Sequence, residues 1–196
     1  MKKIAAALLL STAVAAPAFA ADSAFYAAFD IGQSNAKDAC NGIPAGVSCK
    51  KTDTAVRLAG GYQFTPIWGA EISYADLGKA RASGLILGIP VSVDSKSNSV
   101  QLAATGTFPI SGGFSILGKL GIARTEVKTS GSVLGIVVAS AKATSTKAAY
   151  GIGAQYDFTK NVSVRAQYED LGTVGDANTT GASKLTLVSA GLVFKF

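Results

Sequence analysis

Apolar side chains recur at every second position along most of the chain after Phe25. Phe25, Ala27, Phe29 and Ile31 share one face, opposite Tyr26, Ala28, Asp30 and Gly32. Val56, Leu58, Tyr62 and Phe64 stand opposite Ala55, Arg57, Ala59 and Gln63. The same alternation runs through Trp68–Ala75, Ser99–Phe108, Phe114–Ala123, Lys147–Phe158, Val162–Glu169 and the terminal Ser183–Phe196. A period of two predicts strands with one apolar and one polar face, eight in all.

Two kinds of connection alternate between these strands. Residues 65–67, 109–113 and 159–161 are short turns, whereas 34–53, 78–98, 127–146 and 172–182 read as long loops. Phe25, Phe64, Trp68, Phe108, Phe114, Phe158, Phe194 and Phe196 fall at the turn or terminal ends of their strands. Tyr74, Tyr150 and Tyr168 fall at the loop ends. Amphipathic rings settle at lipid headgroup depth, so two aromatic bands mark two membrane interfaces. No stretch after the first 20 residues reaches the ~18–20 apolar residues of a spanning helix, but a spanning strand needs only ~10, every second one apolar. A soluble barrel would turn its apolar face inward and has no reason to band its aromatics. The expected fold is all-β: an eight-stranded antiparallel up-and-down transmembrane β-barrel over 21–196.

Residues 1–20 are expected to be removed as a signal peptide. Lys2 and Lys3 precede an apolar run from Ile4 to Ala16, and Ala18-Phe19-Ala20 is a small-x-small cleavage site. Losing Lys2 and Lys3 takes the net charge from +6 to +4. The remaining charge is dispersed, so it suggests no nucleic-acid partner. Cys40 and Cys49 lie in a loop-like stretch of an exported chain, which favours a disulfide. With no histidine in the chain, a Ser-His-Asp arrangement is excluded, and a metal site is poorly served. Glu169 and Asp170 are adjacent on a strand and face opposite ways, so they cannot act as an acid/base pair. No cofactor, metal or catalytic activity is expected.

The predicted inner face carries charges of both signs: Asp30, Arg57, Glu71, Lys119, Asp157, Arg165 and Glu169, with Lys147 and Lys195 nearer its ends. An eight-stranded barrel is only wide enough for its own side chains. These charges either gate a narrow path or pair with one another as a plug, and the plug is the favoured reading. The second and third loops both carry an apolar run, with Leu85, Leu87 and Ile89 in one and Leu134, Ile136 and Val138 in the other. Exposed apolar patches normally contact something. These runs would serve adhesion or a hydrophobic ligand, or would pack on each other as extended strands forming a lid.

Several stretches carry a family resemblance: GGYQFTP at 60–66, WGAEISYADLG at 68–78, FSILGKLGIAR at 114–124, the run from Tyr150 to Gly172, and the closing SAGLVFKF. The chain resembles the OmpA/OmpX-like eight-stranded outer-membrane barrels, including the small surface and opacity proteins. The resemblance implies the outer membrane of a Gram-negative bacterium and a charge network centred on Glu71, Lys119 and Arg165. It also implies that the assembly machinery reads the terminal strand at Phe194 and Phe196. A structural or adhesin-like role through four extracellular loops is expected, on a monomer surrounded by lipid and lipopolysaccharide and facing a host or matrix ligand. A small pore for ions or hydrophobic solutes is the second expectation. No peptidoglycan-binding domain is expected after Phe196, so anchoring to the cell wall is not carried over.

Overall fold

The computed structural model describes residues 24–42, 47–86 and 88–196. Its strands are β1 (Ala24–Ala36), β2 (Ser48–Lys50), β3 (Thr52–Gln63), β4 (Trp68–Ile86), β5 (Ile89–Ser111), β6 (Phe114–Val133), β7 (Ile136–Asp157), β8 (Val162–Asp176) and β9 (Gly181–Lys195). The expected leader at 1–20 lies outside the described residues. β1 pairs with β3, each later strand pairs with the next, and β9 returns to β1. The closing seam is antiparallel from Tyr26↔Lys195 to Ala36↔Leu185. The ring therefore holds eight strands. The ninth, β2, lies on β4 beyond the end of β3, with only Lys51 between them.

The alternation maps onto the two faces of the ring. Phe29, Leu58, Ile72, Leu102, Leu120 and Val188 are exposed, whereas Ala28, Arg57, Glu71, Ala103, Lys119 and Leu187 are buried. An apolar belt around the outside and charge within is the reverse of a water-soluble barrel, and lipid is the solvent that suits it. A closed ring also pairs the backbone groups that an open sheet edge would leave bare in hydrocarbon.

Two of the expected long loops are largely strand. β4 and β5 stay paired out to Ile86↔Ile89, β6 and β7 to Val133↔Ile136, and β5 and β6 to Val91↔Val133. A four-stranded sheet thus rises from one side of the ring. Its outer face carries Lys79, Arg81, Asp94, Lys96, Glu126, Lys128 and Lys142, and its inner face Ala, Val, Ser and Thr. The apolar face that marks the strands in the ring thus turns charged above it, so the pattern that reveals a lipid-facing strand stops at the ring.

A repeated motif shapes the base of this extension. Tyr74-Ala75-Asp76-Leu77-Gly78 and Tyr168-Glu169-Asp170-Leu171-Gly172 both read Tyr-x-Asp-Leu-Gly. Each ends in a register shift, between Asp76 and Lys79 and between Asp170 and Thr173. Gly78 and Gly172 have φ of 71° and 78°, a region that favours glycine. The aspartate of each motif accepts the glycine N–H, at 3.0 and 2.9 Å. The leucine of each, Leu77 or Leu171, is buried inside the barrel. A bulge re-aims the strand and increases its twist.

Cys40 and Cys49 form a disulfide. Cys49 lies on β2 opposite Ala82 of β4, so the bond pins the first loop to that edge of the sheet. Closing so short a loop is worth ~2–3 kcal/mol in the chain-entropy model. Unboiled protein is expected to run apart from boiled protein on an SDS gel. The paired change Cys40→Ser and Cys49→Ser should keep that separation while making the first loop more sensitive to protease.

Candidate functional site

Six ionised side chains meet at the middle of the lumen. Asp30 comes from β1, Arg57 from β3, Glu71 from β4, Lys119 from β6, and Arg165 and Glu169 from β8. All are buried. Glu71 is the hub. Its Oε1 accepts from Lys119 Nζ at 2.7 Å, and its Oε2 from Arg165 Nη1 at 2.7 Å and Tyr26 Oη at 3.1 Å. Arg57 donates to both Glu71 and Glu169. Arg165 holds Asp30 with two bonds, Nε to Oδ1 at 2.9 Å and Nη2 to Oδ2 at 2.7 Å. Lys119 Nζ lies 3.8 Å from Glu169 Oε1. Three cations meet three carboxylates, so the cluster is neutral overall.

Neutrality suits the setting. A charge buried alone costs several kcal/mol, and its counter-ion restores this only with good geometry and further hydrogen bonds. Gly191 of β9 makes room for the cluster. A Cβ there would lie 2.0 Å from the Phe29 carbonyl oxygen and 2.6 Å from Asp30 Oδ1.

An apolar layer lies over the charges on the loop side. Ala55, Ala75, Leu77, Ala123, Val127, Ala149, Leu171, Val174, Leu185 and Leu187 form one buried cluster. Beside Arg57, Glu169, Leu171 and Leu187 the free space is about 10 Å³, and near Tyr26 and Arg165 about 20 Å³. Each is about enough for one water molecule. At the loop end a mouth of about 480 Å³ opens, with Leu77, Val127, Val174 and Leu185 among its lining residues. Charges plug the centre and aliphatic side chains cover the plug.

Asp157 and Lys195 pair with each other at 3.0 Å near the turn end, apart from the central six. Lys147 shares the inner face with its buried partner Ala123, but it lies beyond the last β7–β8 pair, where it is exposed and makes no ion pair among the described residues. Charge alternation alone did not reveal Tyr26, although its inward position on β1 placed it within reach. Leu77 and Leu171 were hidden as well; their signal is the repeated Tyr-x-Asp-Leu-Gly.

The apolar tips come together. Leu134 donates its N–H to the Pro90 carbonyl at 3.0 Å, so the β4–β5 and β6–β7 tips are tied edge to edge. Leu85, Ile89, Leu134, Ile136, Val137 and Val138 nevertheless stay exposed. Leu87 lies outside the described residues. The tips extend one another as strands without covering their own side chains, so they do not form a lid of buried apolar groups. β7 pairs with β8 only from Tyr150 to Asp157, so among the described residues its outer part has a strand on one side alone.

Acid and base partners also decorate the outer wall above the membrane. Asp76 is held below the usual carboxylate range, chiefly by the hydrogen bond from Lys96, against the opposing effect of burial. Glu126 is held low by hydrogen bonds from Lys142 and Lys128.

Glu71→Ala removes the hub and leaves three buried cations facing two carboxylates. It is expected to destabilise the barrel by about 3–5 kcal/mol, read as a lower denaturant midpoint in micelles. In planar bilayers the parent and Glu71→Gln should both be silent, because the aliphatic layer remains; current steps in either would show an open path.

A family model described as "Outer membrane protein beta-barrel domain" matches residues 6–196. Outer membrane protein A of Yersinia pseudotuberculosis is 30% identical over 202 residues; the match covers 100% of this chain and 56% of that protein. The N-terminal β-barrel domain of Pseudomonas aeruginosa OprF superposes with a TM-score of 0.55 at 18% identity, covering 89% of this chain and 98% of that one. Ail, the attachment invasion locus protein of Yersinia pestis, solved with the heparin analogue sucrose octasulfate, superposes at 0.52 with 20% identity, covering 88% and 99%. By its family match and its ring of strands, the chain belongs to the outer membrane protein β-barrel domain family and is a protein of the Gram-negative outer membrane.

Proposed function

We propose that this protein displays a contact surface outside the cell on a sealed membrane anchor. The observation that carries this reading is the pair of apolar tips, tied together at the end of a four-stranded sheet and exposed to water. Exposed aliphatic groups this close together normally meet a partner. The unpaired side of β7 adds backbone donors and acceptors, which an extended segment of another protein can pair with as an added strand. The partner is an apolar or strand-forming surface of a host cell or matrix protein. The closed lumen argues against the pore reading: the mouth runs into aliphatic side chains, and the voids below hold about one water each.

The terminal strand has a separate proposed role, as the segment that the assembly machinery reads. Phe194 and Phe196 are exposed on the outer face, and Phe196 donates its N–H to the Phe25 carbonyl at 2.8 Å. Phe196→Ser should lower the amount of barrel in the outer membrane while leaving refolding into micelles intact. Equal loss in both would assign the residue to stability alone.

Replacing Leu85 and Leu134 with Ser separates display from packing. Bacteria carrying the variant should lose attachment to host cells or matrix, while the gel shift on boiling stays unchanged. Unchanged attachment with an intact barrel would sink the tip reading.

A further inference from the structure

The first loop carries a dipeptide with chemistry of its own. Asn41-Gly42 is the one place in the chain where an asparagine precedes a glycine. Both residues are exposed, in a turn inside the ring closed by Cys40 and Cys49. Asn41 is also among the residues that line the mouth at the loop end.

Local geometry leaves this pair open to reaction. Gly42 has no side chain to keep its nitrogen from the Asn41 carboxamide, and its φ of 75° is one that favours glycine. Nothing lies within 4 Å of the place a Cβ would take there. Its N–H meets no acceptor among the described residues. The other four asparagines lack this freedom. Asn161 and Asn178 precede the β-branched Val162 and Thr179, and Asn35 and Asn98 sit within β1 and β5. Asn161 also donates from Nδ2 to the Lys195 carbonyl at 2.9 Å.

The contacts of Asn41 give such a reaction a structural consequence. Its Nδ2 donates to Asp38 Oδ1 at 3.2 Å, and its N–H to the Asp38 carbonyl at 3.0 Å. Asp38 in turn fastens the loop to β9. Its Oδ2 accepts the Lys184 N–H at 3.0 Å, and its own N–H donates to Ser183 Oγ at 3.0 Å. Beside them Lys37 donates its N–H to the Lys184 carbonyl at 2.9 Å.

We propose that Asn41 deamidates spontaneously and that the product unfastens the first loop from β9 at the lip of the mouth. The Gly42 nitrogen gives its proton to hydroxide and attacks Asn41 Cγ. The N–Cγ bond forms, the Cγ–Nδ2 bond breaks, and ammonia leaves with a proton taken from water. Water then opens the five-membered imide at either carbonyl, leaving aspartate or isoaspartate. Either product replaces an amide donor with a carboxylate that faces Asp38. Two carboxylates so close repel, most strongly at low salt. Isoaspartate also adds a backbone methylene inside the disulfide ring. The change runs one way, so older copies on the cell surface carry a looser and more negative lip than new ones.

The test ages the refolded full chain in phosphatidylcholine vesicles, in mildly alkaline buffer made with heavy-oxygen water. After reduction, the tryptic peptide 38–50 holds Asn41 and no other asparagine. It should take up the label and split into aspartyl and isoaspartyl forms at least about tenfold faster than the peptide carrying Asn161. Equal rates in the two peptides overturn the site. Trypsin should cut the first loop of Asn41→Asp several-fold faster than that of the parent at low salt. The difference should narrow as salt rises, with the gel shift on boiling unchanged. Asn41→Gln keeps an amide but not the five-membered geometry, and should age with no change in its cutting rate. Cutting of Asn41→Asp at the parent's rate overturns the unfastening.

Discussion

Hydrocarbon offers a backbone no hydrogen bonds, and this constraint governs the rest of the molecule. A sheet in lipid must close on itself, because a bare edge leaves several kcal/mol per group unsatisfied. The β1–β9 seam meets that demand with eleven registered pairs, from Tyr26↔Lys195 to Ala36↔Leu185. Closure at eight strands then sets a narrow interior, and a narrow interior excludes bulk water. Whatever the inner face carries must be satisfied by other inner-face residues.

The lumen shows how that is done. Glu71 gathers Arg57, Lys119, Arg165 and Tyr26, and Arg165 hands on to Asp30. Each strand contributes little, but together they form a neutral knot tied between β1, β3, β4, β6 and β8. Above it the aliphatic layer includes Leu77 and Leu171, delivered inward by the two Tyr-x-Asp-Leu-Gly bulges. The aspartates of those bulges face the other way. Asp76 pairs with Lys96 and Asp170 with Lys184, at 2.9 and 2.8 Å. One five-residue motif thus seals the barrel, bends the strand and anchors a lysine on its outer wall.

Above the membrane the same strands work in a different solvent. β4 to β7 continue as a sheet wetted on both faces, so their pairing depends on backbone bonds and cross-strand pairs more than on burial. The edge at β4 is covered by β2 and fixed by the disulfide, while among the described residues the outer part of β7 has no strand beyond it. That asymmetry, with the apolar tips, is what directs a partner to one side of the protein.

The sequence alone determined the strands within the membrane, their two faces, the aromatic bands and the six central charges. A period of two is a local property, and in lipid both faces are under strong and opposite selection. It could not determine who pairs with whom inside. That Arg165 joins Glu71 to Asp30, and that Tyr26 donates to Glu71, are consequences of strand tilt and stagger. The protruding sheet was missed for a different reason: above the ring the outer face turns from apolar to charged, so the lipid-facing pattern ends there although the pairing continues. Four lysines that stand opposite one another on the outer wall of the sheet show the limit most sharply. Lys79, Lys96, Lys128 and Lys142 are unremarked in the chain, spaced by 17, 32 and 14 residues. Only the register of four paired strands sets them side by side.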